Sequence, residues 1–265
     1  MTPTRTGSSA AHMLARLAAL IERERCTRFA GGALGALWAY VTPLGWIVLV
    51  VLAFNWLGRS VPIHAPMPLF VASGILPYAM FRQVITSLMR TVISNRHLVY
   101  FRPVNTTEIL LASALLELLN MIIMIVLIVS ALWLWLAPDP PGDALTAIWG
   151  MALAWGLGTG LGRFAAVLGQ VSDTAHRAIP LLLRPMFWVS GIFFTATELG
   201  GAAQAIFWWN PLFHAIEILR EGLFLGYASP IADGWYPLTV AVGFYLASLL
   251  IERRVEARHL ARHQI

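Results

Sequence analysis

The thirty residues from Phe29 to Gly58, FAGGALGALWAYVTPLGWIVLVVLAFNWLG, contain no charged side chain. A helix needs about 20 apolar residues to cross a hydrocarbon core. A run this long has no counterpart in a soluble domain of ordinary composition. The same reading repeats along the 265-residue chain. Ser60–Phe81, Leu118–Pro138, Ala144–Gly162 and Gly234–Ile251 are also free of charge. A further apolar run, Ile179–Thr195, is interrupted only by Arg184. With 58% hydrophobic and 12% charged residues, the chain reads as an all-α integral membrane protein with no separate soluble domain.

The runs give six spans: Trp38–Leu57, Met67–Leu88, Ile109–Leu136, Ala144–Arg163, Ile179–Thr195 and Trp235–Ile251. Six spans put both termini on one side. Fourteen of the 18 basic residues, all of them arginine, fall on that side, and Arg59 and Arg220 on the other. By the positive-inside rule the termini are cytoplasmic. The net charge of +5 then reflects topology, and no nucleic-acid role is implied. One domain is expected over 1–265. Residues 1–37 form a cytoplasmic interfacial segment and 38–195 carry spans 1 to 5. Residues 196–234 form an external segment, 235–251 span 6, and 252–265 a cytoplasmic tail.

The interfacial reading of the N-terminal segment rests on Met13, Leu14, Leu17, Leu20 and Ile21. They share one helical face, with Arg16, Glu22 and Arg23 off it. The patch is followed by ERER, which does not fit a cleavage site, so no secretory signal is read here. The single cysteine, Cys26, can form no internal disulfide.

The external segment contains FWWNPLFHAIEILREGLFLGY, from Phe207 to Tyr227. Asn210-Pro211 is a helix start, an N-cap followed by proline at the first helical position. Gly226 can end the helix. At 100° per residue Leu212, Ile216, Leu219 and Leu223 share one face, and His214, Glu217 and Glu221 the other. Trp208 and Trp209 suit the headgroup layer. Glu198–Phe207 could form a second short helix, with Gly200-Gly201 as its weak point. Together they read as a re-entrant helix pair between spans 5 and 6, with the polar face looking into a central vestibule. A surface helix resting on the outer leaflet is the alternative.

Three blocks resemble the permease subunit of bacterial ABC-2 type polysaccharide exporters, capsular exporters above all and O-antigen exporters next. They are Thr27–Leu44 (TRFAGGALGALWAYVTPL), Asn95–Glu117 (NRHLVYFRPVNTTEILLASALLE), and WNPLFHAIEILREGLFLGY with the upstream IPLLLRPMFWVSGIFFT. The resemblance implies a homodimer of permeases bound to two copies of an ATP-binding subunit. A channel for a lipid-linked polymer would run between the permeases. It makes Trp208, Trp209, Asn210, Pro211, His214, Glu217, Arg220 and Glu221 an external gate. For a capsule system it also implies a periplasmic co-polymerase and an outer-membrane channel. Location would be the bacterial inner membrane. Two departures stand out: Thr42 replaces an acidic residue before Pro43, and Ser113 replaces an arginine. Glu117 therefore lacks its i,i+4 partner and would need an arginine from another helix, Arg163 or Arg184, unless neutral or hydrated.

Candidate conduit residues follow from helical faces. In the fifth span Arg184 lies between Pro180 and Pro185, and Arg184, Trp188, Gly191 and Thr195 fall on one helical face, offering a cation, an aromatic ring and a hydroxyl. The competing reading has Arg184 snorkelling to headgroups. In the first span Trp38, Thr42 and Gly45 align, with Trp46 at the edge. Tyr78 and Phe81 are the second-span candidates. For the three aromatic positions Trp38, Tyr78 and Phe81, plain packing competes with conduit lining. The loop holding Arg90, Arg96, His97, Phe101 and Arg102 resembles an ATPase-docking helix, where an ordinary positive-inside loop is the alternative. Gly156, Gly158, Gly160 and Gly162 permit close helix approach within a protomer.

The chain has no lysine, so it cannot form an ordinary P-loop. No cofactor is expected in it; ATP and magnesium would belong to the partner subunit. No HExxH, GxSxG or CxxC motif is present, and no metal site is expected. A membrane-embedded glycolipid transferase is the rival from another class. A permease for O-antigen, a teichoic-acid-type polymer or a small lipid or drug is the nearer alternative.

Overall fold

The computed structural model describes residues 18–26, 33–94, 106–136 and 140–262; side chains at 33–40 and 255–262 are outside that description. Every regular element among the described residues is helical. After an N-terminal helical segment at 18–26 come α1 (Ala33–Trp56), α2 (Met67–Ser94), α3 (Thr106–Leu136), α4 (Ala144–Val171) and α5 (Asp173–Val189). A 3₁₀ turn (Ala196–Glu198), α6 (Gly201–Phe207), α7 (Pro211–Leu223) and α8 (Trp235–Arg262) complete the chain. Four helices, α2, α3, α4 and Trp235–Arg254 of α8, are long and apolar enough to cross a membrane; Val41–Trp56 in α1 is a shorter apolar helix.

Helix α4 is the central pillar, packed against α2, α5, α7 and α8. Its glycines are the reason. A Cβ on Gly160 would sit 2.2 Å from the Ala241 carbonyl oxygen of α8, and one on Gly162 would reach Ile85 and Leu88 of α2. Gly158 lies against Phe81 and Val84. At the opposite end Gly150 and Gly222 face each other's helices: their Cβ atoms would lie 2.5 Å from Leu219 N and 2.2 Å from Ala147 N. Backbones this close gain dispersion contacts that lipid, as apolar as leucine, does not supply. Gly156 differs from its neighbours, with nothing within 4 Å of an added Cβ. Asp143 caps α4, accepting from Leu145 N at 2.9 Å and from the Thr146 hydroxyl. The Thr146 hydroxyl, then the Thr146 and Leu145 amides, hold its carboxyl below the usual carboxylate range.

Both terminal segments come to one end of the bundle. Glu24 accepts from Thr91 Oγ1 at 3.1 Å, and Thr91 also joins Ser113 Oγ at 2.9 Å. Ser87 meets the same Ser113 hydroxyl at 3.1 Å. The hydroxyl at Ser113 thus links α2 and α3. In the helical segment at 18–26, Leu20, Ile21 and Glu24 are half-buried while Glu22, Arg23 and Arg25 are exposed. Met13, Leu14, Arg16 and Leu17 lie outside the described residues. Nearby, buried Arg163 of α4 bonds Ser248 Oγ (2.9 Å), Thr107 Oγ1 (3.0 Å) and Glu252 Oε2 (2.6 Å), and lies over the Tyr245 ring. It therefore serves α8 and α3, and does not take the role of partner to Glu117.

The fifth span ends earlier than its hydropathy indicates. Helix α5 stops at Val189, not Thr195, and residues 190–195 run as irregular chain. Gly191 adopts φ +79°, and the Phe213 ring lies 2.3 Å from where its Cβ would be. Irregular backbone is tolerated at membrane depth only when buried in protein, and Ser190, Ile192 and Thr195 are fully buried.

Gly150→Leu or Gly222→Val should unseat α7 from α4, lowering the melting temperature of the purified protein by the equivalent of about 3 kcal/mol. Gly156→Ala should leave it unchanged or slightly raised. Equal effects at the two kinds of site would refute the packing argument.

Candidate functional site

Two constellations occupy the two ends of the bundle. The first is built on α7. Asn210 accepts from Leu212 N at 3.0 Å, and its Nδ2 donates to Val189 O at 2.8 Å, joining the start of α7 to the end of α5. Pro211 takes the first helical position. The polar side of α7 then turns inward. His214, Glu217 and Arg220 are all fully buried.

Arg220 organises this region. Its Nε donates to Ser73 Oγ of α2 (3.3 Å), Nη1 to Phe194 O (2.8 Å) and Glu217 Oε1 (3.2 Å), and Nη2 to Ile192 O (3.3 Å). Its plane lies over the Phe70 ring at 4.4 Å. The carbonyls it caps belong to the irregular stretch that follows α5. Gly74 is needed here, because a Cβ would reach Ile192 Cα at 2.8 Å and Arg220 itself at 3.2 Å. The other oxygen of Glu217 accepts from Ala196 N (3.1 Å), the Tyr227 hydroxyl (2.5 Å) and the Ser229 hydroxyl (2.8 Å). Glu221 accepts from Ser229 N at 2.8 Å. His214 Nδ1 accepts from Asp233 N at 3.1 Å, which leaves Nε2 as the donor to Trp208 O at 2.8 Å.

The expected vestibule-facing polar stripe is therefore an internal lock in the protomer. The opposite side of α7 is buried too, against α4. Of the gate candidates only Trp208 and Trp209 reach the surface, Trp209 at 72% exposure. Trp208 stacks on Tyr236. The weak point at Gly200-Gly201 is realised as the break between the 3₁₀ turn and α6. No residue of α6 is buried. Arg59 bridges to Glu198 at 3.4 Å, joining the end of α1 to this turn.

The second constellation is a groove of about 610 Å³ enclosed by α1, α2, α3 and α5. It collects Thr42, Trp46, Tyr78, Arg184 and Trp188 from the sequence candidates. Phe187, which sequence reasoning passed over, is the centre of its aromatic wall, 5.0 Å from Trp46, 5.2 Å from Tyr78 and 5.5 Å from Trp188. The Tyr78 hydroxyl donates to Leu183 O. Three polar residues were also missed: Arg82, Gln83 and Asn120 line the groove beside Glu117. Arg82 stands one turn beyond Tyr78, and an ionisable group inside an apolar run was the available signal.

Other candidates sit elsewhere. Phe81 is packed in the core facing α4, because Gly158 meets its backbone. Thr195 is fully buried beside the 3₁₀ turn, where Glu198 accepts from its amide. The chain turns away after Val189, so neither Gly191 nor Thr195 continues the Arg184–Trp188 face. Trp38 lies in α1, with its side chain outside the description. Arg90 is exposed in the last turn of α2, and Arg96, His97, Phe101 and Arg102 lie outside the described residues. The Gln170–Arg177 corner is a tight one, with Ser172 capping both the end of α4 and the start of α5. Among the described residues no cluster of metal-ligating side chains occurs.

The family model for the ABC-2 type transporter matches residues 15–224. The chain is 26% identical over 246 residues to the polysialic acid transport protein KpsM of Escherichia coli, covering 90% of this chain and 93% of that protein. It is 27% identical over 212 residues to the capsule polysaccharide export inner-membrane protein BexB of Haemophilus influenzae, 78% of each chain. Against the capsule polysaccharide export inner-membrane protein CtrC of Neisseria meningitidis serogroup A, identity is 28% over 250 residues, 90% of each.

Removing one partner of the Arg220–Glu217 pair leaves a buried charge without its counterion. Arg220→Met should cost about 3–5 kcal/mol, read as loss of resistance to denaturing detergent. The double variant Arg220→Met, Glu217→Gln should recover part of that loss. A single variant as stable as the parent would show that the pair contributes nothing.

Proposed function

Because the chain belongs to the ABC-2 type transporter membrane family, we propose that it is the transmembrane subunit of an ATP-driven exporter that moves a lipid-linked capsular polysaccharide across the inner membrane. Coverage of nine-tenths of two capsule- and polysialic-acid-transport relatives supports that cargo. The observation that carries the reading is the groove. It combines Trp46, Tyr78, Phe187 and Trp188 with two arginines inside a membrane bundle. Flat rings let sugar units slide without a fixed register, and arginine meets phosphate or carboxylate.

A chain without lysine cannot hold an ordinary P-loop, so ATP and magnesium bind in a separate ATP-binding subunit present in two copies. Two permeases face one another across the flanks of α1 and α5, where Leu52, Trp56, Leu182 and Trp188 are exposed. In this reading six passes place both termini in the cytoplasm. The 3₁₀ turn, α6 and α7 form the re-entrant external element. The loop holding Arg96, His97, Phe101 and Arg102, entered from Arg90, docks on the ATPase. A periplasmic co-polymerase and an outer-membrane channel complete the route for a capsule.

The test is complementation of a capsule-export strain lacking its permease. The parent chain, expressed with its ATP-binding subunit, should restore surface polysaccharide. Arg184→Ala and Trp188→Ala should each lower it by about tenfold at unchanged membrane abundance. Full export by both variants would remove the groove from the transport path. Restored export without any ATP-binding subunit would overturn the assignment itself.

A further inference from the structure

The groove has a direction. On each of its four helices the polar residue lies nearer the end that carries the chain termini, and the apolar or aromatic residue nearer α7. On α1, Thr42 precedes Trp46; on α2, which runs the other way, Arg82 and Gln83 follow Ile75 and Tyr78. On α3, Glu117 and Asn120 precede Met121 and Met124; on α5, Arg184 precedes Phe187 and Trp188. Arg82, Glu117 and Arg184 line this one space, each about 17 Å along its helix from Ser94, Thr106 and Asp173 at 1.5 Å per residue. The space therefore has a polar floor and an apolar roof.

The floor presents positive charge. Arg82 and Arg184 are exposed, whereas Glu117 is 1% exposed. Among the described residues neither guanidinium makes a hydrogen bond or ion pair, whereas buried Arg163 and Arg220 and exposed Arg59 each do. Two arginines without counterions at this depth are costly unless water or an anion meets them. Their planar forks suit a phosphate oxygen pair.

Polar floor and apolar roof together match an amphiphile of the cytoplasmic leaflet, whose headgroup points to the termini side and whose tails point to the bilayer centre. We infer that the groove binds the phosphate-bearing lipid end of the cargo, with Arg82 and Arg184 clamping the phosphodiester and Met121, Met124, Ile75 and Trp46 receiving acyl chain. This rests on the export reading above and adds to it a residue, Arg82, and a part of the substrate. The sugar chain then extends from the floor, and the first event in transport is capture of the lipid.

The same chemistry is offered by ordinary bilayer phospholipid, so the test separates the two. The full-length chain is placed in phosphatidylcholine nanodiscs doped equally with phosphatidylglycerol and a phosphatidyl-linked trisaccharide. Retained lipid is then identified by native mass spectrometry. The trisaccharide lipid should be retained over phosphatidylcholine by about tenfold, and over phosphatidylglycerol as well. Arg82→Gln and Arg184→Gln should each bring retention close to parity, Arg82→Lys should keep part of it, and Arg59→Gln at the far end should change nothing. Retention of phosphatidylglycerol alone, equal retention of all three lipids by the parent chain, or indifference to both glutamine variants would overturn the proposal. The parent comparison stands even where a variant fails to fold. Capsule export is measured in the same variants. Intact export without lipid retention defeats lipid capture and leaves the exporter reading standing, whereas lipid retention without export under any condition does the reverse.

Discussion

A guanidinium buried to zero exposure holds together the end of the bundle where α7 sits. Without Arg220 the stretch after α5 would leave the Phe194 and Ile192 carbonyls unpaired at membrane depth. Glu217 would lose its counter-charge, and α2 its bond through Ser73. The cost of placing such an ion away from water is several kcal/mol. Four acceptors and a ring offset it, which explains why arginine stands here: lysine has no planar fork to reach α2, the post-α5 chain and Glu217 at once. The unusual backbone of the fifth span and the unusual burial of α7 are one feature seen from two sides.

That arrangement divides residues 196–234 into parts of unequal firmness. Helix α7 and residues 224–234 are sewn together by Glu217, Glu221 and His214, and clamped to α4 through Gly150 and Gly222. The 3₁₀ turn is tied to α7 through the Ala196 amide on Glu217 and to Arg59 through Glu198, and Phe207 packs on Phe194 and Phe213, but between them α6 is attached by fewer contacts, those of Gln204 to Ala196 and Leu199. Local stability follows contact density and buried apolar surface. Opening at this end is therefore easiest over residues 199–206, with α7 as the fixed base.

Hydropathy made the helical fold legible because transfer free energy is a property of each residue alone. Charge-free runs located α1 to α4 and α8, Asn210-Pro211 located α7, and the glycine run in α4 announced close packing. What the sequence could not show was partnership. His214, Glu217 and Glu221 gave the same amphipathic signature a water-facing stripe would give, and only the fold reveals that Ala196, Tyr227, Ser229 and Asp233 stand in water's place. The end of α5 was hidden because Gly191 turns the chain without altering its apolar character. In the groove, Trp46, Tyr78, Arg184 and Trp188 could be picked from helical faces. Phe187 looked like core, and Arg82 looked like an isolated charge, since nothing local shows that α2 and α5 bring two arginines to one groove.

The Arg163 cluster bears on biogenesis. Arg163 is synthesised 89 residues ahead of Glu252, the carboxylate that neutralises it, and Ser248 follows almost as late. For most of translation α4 must enter the bilayer carrying an arginine whose carboxylate partner has not yet been made. Neutralisation waits until the last helix arrives. Insertion of α8 thus does more than add a pass: it is the step that answers the Arg163 charge and closes the bundle.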